Sequence, residues 1–166
     1  MCQRAPGQPR TVNLVVTDIP TNPRARTTTR AGSFVEAAAA LLEDCRDKAQ
    51  TFVNAAHREE VIFTRGTTEG INLVAQVIAE RVKPGQDIVI SQLEHHSNIV
   101  PWQLLAQRTG ANIKAIDITE TGDLDLAHAA DLITDNTALV AITHISNGLG
   151  SMIPVTKLIE QAKQVG

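Results

Sequence analysis

Tyrosine is missing from the 166 residues, and three Phe and one Trp are the whole aromatic complement, so a core must be built from Ala, Val, Leu and Ile. A chain so poor in rings offers no stacking surface for single-stranded nucleic acid. Charge of one sign is lacking too: a formal net charge of -3 gives no field that would draw nucleic acid or an anionic membrane, so a bound anion has to be gripped locally. The two cysteines, Cys2 and Cys45, lie too far apart in sequence to suggest a disulfide framework or metal-ligand spacing, and they fit a reducing compartment. No metal site is expected. No apolar run approaches the roughly 20 residues that span a bilayer, and the start lacks a charged-then-apolar leader pattern. A cytoplasmic location, with no membrane or nucleic-acid partner, is the expectation.

What is present, 43% hydrophobic and 20% charged residues, suits one ordinary α/β domain with a single core. Residues 1–31 hold four of the seven prolines and an Arg/Thr cluster at 24–30, which reads as an arm, with one short strand allowed at Val12 to Val16. From Ser33 to Asn54 a helical stripe runs through Phe34, Ala38, Leu41, Leu42, Cys45, Ala49, Phe52 and Val53, with Ser33 and Glu36 as a capping box. Cys45 on that stripe is expected to be buried. An alternation follows: strand 60–64, helix 67–82, strand 87–91, helix 99–108, strand 112–118, helix 125–133, strand 138–143, and a last helix opening at Pro154. Strand and helix in strict turn predict a parallel sheet with right-handed crossovers.

In such sheets ligands bind at the carboxyl ends of the strands, and three of the four ends carry unusual residues. After the first strand, Gly66 allows a sharp turn and Thr67 or Thr68 can cap the next helix, whose first amides face an anion. The residues alone allow either a phosphate site or a capped turn without ligand; a Walker loop is excluded, since no Gly-Lys-Ser/Thr ending follows. After the second, Glu94-His95-His96-Ser97-Asn98 allows a catalytic or a structural histidine, while chelation of one ion by adjacent histidines is awkward. After the fourth, Asn147-Gly148 allows an amide donor to a ligand or a plain turn. All three fall on one rim, which favours function over coincidence.

The blocks FTRGTTEGIN (63–72), EHHSNIVPW (94–102) and THISNGLG (143–150) resemble, in order, the signature blocks of cysteine desulfurases. More narrowly, they resemble the branch of the class V aminotransferases that includes selenocysteine lyases. The resemblance covers roughly residues 32–166. It implies a pyridoxal-phosphate-dependent fold type I large domain, of which 32–166 would be the front half and the sheet incomplete. Pyridoxal phosphate is the implied cofactor: Thr67 and Thr68 would hold its phosphate, His95 would stack on the ring and move protons, and Asn147 would bond the phenolic oxygen. His96 would be the structural histidine, hydrogen-bonded beneath the loop.

The family also holds its cofactor with a lysine in a Ser-x-His-Lys segment and an aspartate in an Asp-Gly-Ala-Gln segment, and neither occurs here. Lys48, Lys83, Lys114, Lys157 and Lys163 lack that context and are expected on the solvated surface. The implied activity is conversion of cysteine, or selenocysteine, to alanine with transfer of sulfur to an enzymic cysteine, in a homodimer that can serve a sulfur-acceptor protein and iron-sulfur cluster assembly. The chain would supply only the cofactor cradle and be inactive alone. Two alternatives are a non-catalytic paralogue that docks on a full-length homologue, and an unrelated nucleotide-binding domain. Against the last, no Gly-x-Gly-x-x-Gly follows a strand.

Overall fold

The computed structural model describes residues 31–165, which fall into two compact units, one ending at Gly70 and one beginning at Ile71. The expected strand at Val12 to Val16, Cys2 and the arm, except for Ala31, lie outside the described residues.

In the first unit, α1 (Ala31–Val53) starts two residues before Ser33, so the capping box does not mark its beginning. Its end is a Schellman motif: Asn54 takes φ 53°, Asn54 N donates to Thr51 O (3.2 Å) and Ala55 N to Gln50 O (3.0 Å). The polar face of α1 ties down the following segment. Arg46 bonds the carbonyl of Val61 and lies 5.5 Å over the Phe63 ring, while Arg58 reaches Glu43 and Asp47. The apolar stripe, by contrast, is uncovered among the described residues: Leu41 is 64% and Phe52 87% exposed, and Cys45 is exposed rather than buried. The expected strand at 60–64 does not form either. Strands exist through lateral pairing, and no neighbour pairs with 61–64 among the described residues.

α2 (Thr67–Ile78) opens in the first unit and continues into the second. There β1 (Asp87–Ser91), α3 (Val100–Thr109), β2 (Asn112–Ile116), α4 (Leu126–Leu132), β3 (Thr137–Ala141) and α5 (Val155–Val165) follow. The three strands pair in parallel in the order β2-β1-β3, with one bulge where β1 passes from Asp87 to Ile88 against β3. All five residues of β1 are buried, as a central strand covered on both faces requires. Its side chains alternate: Ile88 and Ile90 pack with Ala75, Trp102 and Leu105 of α2 and α3, and Val89 packs with Ile116, Ala129 and Leu158 on the opposite face. Each large side chain so buried contributes on the order of 1.5–3 kcal/mol.

The termini of the helices follow local chemistry. α3 carries Pro101 in its first turn and stops at Gly110, whose φ of 76° is left-handed. Asp125 caps α4 by accepting from Ala127 N (2.9 Å) and His128 N (3.0 Å). Four of the five lysines are exposed, but Lys114 is drawn to the buried Asp87 at the N-terminal end of the sheet, 2.8 Å away.

Candidate functional site

Thr67 and Thr68 are the first two residues of α2, not its cap; Gly66 precedes them. Both threonines are exposed. Gly70 N donates to Gly66 O (3.1 Å) as the first rung of the helix, so the amides of Thr67 and Glu69 precede the ladder and sit at the positive end of the helix dipole. Gly66 has φ 152° and no atom within 4 Å of where a side chain would begin, and across the same turn the Glu69 carboxylate accepts from Arg65 N (2.5 Å). Hydroxyls and leading amides at a helix start are a donor set of the kind that suits a phosphate.

In the second unit, the rim at the carboxyl ends of β1 and β3 is built around Glu94. Oε1 accepts from Ser91 Oγ (2.6 Å) and from Thr143 N (2.8 Å), and Oε2 accepts from Asn98 Nδ2 (2.7 Å). Asn98 Nδ2 also donates to Ala141 O (3.3 Å), while its Oδ1 accepts from Trp102 Nε1 (2.8 Å). One carboxylate therefore joins the last residue of β1, the entrance to α3 and the exit from β3.

His95 follows Glu94 directly and caps a 3-10 turn over 96–98, its Nδ1 accepting from Ser97 N (3.2 Å) and lying 2.9 Å from Ser97 Oγ. With Nδ1 accepting a main-chain donor, the proton of the neutral ring is placed on Nε2. The ring is exposed and meets His96 edge-on, centroids 6.0 Å apart at 84°. His96 is itself exposed and does not lie beneath the loop. The side chains bonded there are Glu94 and Asn98, both half-buried.

Asn147 lies four residues beyond Thr143, exposed, in a loop closed by the Ile145–Met152 bridge. Its neighbour Ser146 is 4% exposed and accepts through Oγ from Gly148 N (3.3 Å) and Leu149 N (3.2 Å). His95 and Asn147 thus follow adjacent strands of one sheet; Thr67 and Thr68 belong to the first unit.

The residues that knit the rim, Ser91, Glu94, Asn98 and Trp102, are absent from the expected site. Their signal was available in part, since Glu94, Asn98 and Trp102 are spaced four apart.

A parallel sheet with helices on both faces defines an α/β domain, and its polar rim lies at the carboxyl ends of the strands, the end where ligands bind in sheets of this type. The chain belongs to the aminotransferase class-V family, whose model matches residues 8–166. It is 45% identical over 130 residues to a cysteine desulfurase of Dickeya dadantii, covering 78% of this chain and 32% of that protein. It is 46% identical over 138 residues to a probable cysteine desulfurase of Streptomyces coelicolor, covering 80% of this chain and 33% of that one. Among solved structures, the cysteine desulfurase CsdA of Escherichia coli superposes with a TM-score of 0.74 at 31% identity, over 86% of this chain and 36% of its own. The cysteine desulfurase of Thermococcus onnurineus gives the same TM-score at 36% identity, over 86% of this chain and 34% of its own. The chain spans about a third of the length of the curated relatives it matches.

Proposed function

We propose that this chain is the cofactor-cradling part of a pyridoxal-phosphate-dependent cysteine desulfurase. The observation that carries the reading is the meeting of the two blocks 94–102 and 143–150 at the ends of adjacent strands, joined by the bond from Thr143 N to Glu94. The donor chemistry supports each role. Thr67 and Thr68, with the leading amides of α2, take the phosphate; the exposed His95 imidazole faces the pyridine ring and offers a proton at Nε2; the Asn147 amide donates to the phenolic oxygen. Bound there, the cofactor supplies the electron sink for chemistry at the α-carbon of an amino acid.

The overall reaction is transfer of sulfur from cysteine to an enzymic thiol, giving alanine and a protein persulfide. Selenocysteine is the alternative substrate, and homodimer formation, a sulfur-acceptor protein, iron-sulfur assembly and a cytoplasmic location belong to the same proposal. Among the described residues no helix is long and apolar enough to cross a membrane. No lysine of the chain stands in a Ser-x-His-Lys segment, so the 166 residues alone do not turn over cysteine.

Titration of the purified chain with pyridoxamine 5′-phosphate, which needs no lysine, tests the cradle. Binding that weakens in His95→Ala and competes with inorganic phosphate supports it, and no binding sinks it. Alanine released from cysteine by the isolated chain would overturn the inactivity. The exposed apolar stripe of α1, with Leu41 64% and Phe52 87% exposed, favours a second reading, docking on a full-length homologue, for which co-purification with an intact desulfurase is the test.

A further inference from the structure

We infer that Glu94 is the positioning residue of the rim: through its strand-end hydrogen bonds it fixes the loop that presents the His95 imidazole. The inference deepens the reading above, and rests on it where the imidazole is taken to face a cofactor.

One end of the network fixes the directions of its bonds. An indole N–H only donates, so Trp102 Nε1 forces Asn98 to turn Oδ1 toward it at 2.8 Å. Asn98 Nδ2 is thereby aimed at Glu94 Oε2 (2.7 Å) and Ala141 O (3.3 Å), both acceptors. Ser91 Oγ accepts from Leu93 N (3.2 Å), leaving its proton for Glu94 Oε1 (2.6 Å). Thr143 N can only donate, at 2.8 Å. Every partner of Glu94 is a donor, so the position requires a group that accepts at both ends. A carboxylate does; an amide of the same shape sets its NH2 against at least one donor.

The span of these bonds explains why His95 depends on them. Ser91 and Asn98 bracket the loop, and Glu94 holds both while Thr143 N ties it to the neighbouring strand. His95 is the next residue, and its Nδ1 is bonded to Ser97, inside the same bracket. Both carboxylate oxygens are engaged within the rim, so Glu94 acts through His95 and is not itself a proton carrier for a ligand.

Glu94→Gln in the 166-residue chain is the test, with Ser91→Ala as a milder companion that removes one donor and leaves the charge. Side-chain 1H–15N spectra resolve the tautomers of the five histidines; thermal unfolding checks the fold, and pyridoxamine 5′-phosphate titration reads affinity. Wild type is expected to show His95 as a single Nε2–H tautomer. Glu94→Gln mixes the His95 tautomers, leaves the His57 and His128 signals in place and weakens pyridoxamine 5′-phosphate roughly tenfold. Ser91→Ala moves the same signal by less, and carries the test if Glu94→Gln does not fold. An unchanged His95 tautomer in the folded variants overturns the inference, even if the Trp102 emission shifts, because Glu94 would then only hold strands together. If the His95 signal moves but no protein binds pyridoxamine 5′-phosphate, the positioning role stands and the cofactor reading falls.

Discussion

Lys114 Nζ lies 2.8 Å from Asp87 Oδ2 at the end of the sheet opposite the candidate rim. Asp87 is 2% exposed and also accepts from Asn112 Nδ2 and Asn136 Nδ2, each at 3.2 Å. Burial by itself pushes the carboxyl up. The hydrogen bonds from Lys114, Asn112 and Asn136, with the charge of Lys114, outweigh it and hold the group below its ordinary value of 3.8.

A depressed folded value makes this a stabilising group at neutral pH. Its contribution is complete above the unfolded value near 3.8 and is lost as pH falls through the lower folded value. Asp87→Asn should cost about 1–3 kcal/mol at pH 7, and the difference from wild type should shrink in denaturant titrations carried below that ordinary value. A difference independent of pH would show that the carboxylate charge is not what stabilises the base of the sheet.

Asp125 offers a simpler case. Its Oδ1 takes two otherwise unmatched amides of α4, Ala127 N and His128 N. Asp125→Ala should lower stability by about 1 kcal/mol while Asp125→Asn retains most of it, measured by urea unfolding. Equal losses in both would assign the effect to charge rather than to capping.

Glycine chemistry separates two positions that look alike in sequence. Gly110 (φ 76°) and Gly85 (φ 82°) are joined by the bond from Gly85 N to Gly110 O (2.8 Å). A Cβ at Gly110 would meet Pro84 Cβ at 3.3 Å, whereas one at Gly85 meets nothing within 4 Å. Alanine at either site incurs left-handed strain of about 1 kcal/mol, and Gly110→Ala adds crowding against Pro84. Thermal unfolding should rank Gly110→Ala below Gly85→Ala, and the reverse order would remove Pro84 from the account.

Where structure follows from neighbours in sequence, it was legible. β1 spans the expected residues 87–91, because an apolar run led in by Pro84-Gly85 has little else to become. Expected and observed ends of α3 and α4 differ by one residue. Where structure depends on distant partners, reading failed. Residues 61–64 have the composition of a strand but no lateral neighbour among the described residues, and the periodicity of α1 was correct while its burial was not. The candidate site divides in the same way: His95 and Asn147 lie after adjacent strands, as their places in the sequence suggest, but Glu94 gains its meaning from Thr143, 49 residues away.

Trp102 makes that long-range network testable as a unit. The lone tryptophan is 3% exposed, and its indole is what orients Asn98. Trp102→Phe removes the donor and should cost about 1–3 kcal/mol. It also frees the Asn98 amide to rotate, so that Oδ1 can face residue 94. In that setting Glu94→Gln is no longer confronted by a fixed donor at Oε2, because the rotated Asn98 can accept from the glutamine NH2. The double variant should therefore be more stable than the sum of the single losses predicts, with a coupling of about 0.5–3 kcal/mol in a double-mutant cycle. Strict additivity would mean that Asn98 is held by Ala141 O alone, and that the indole sets nothing beyond its own packing.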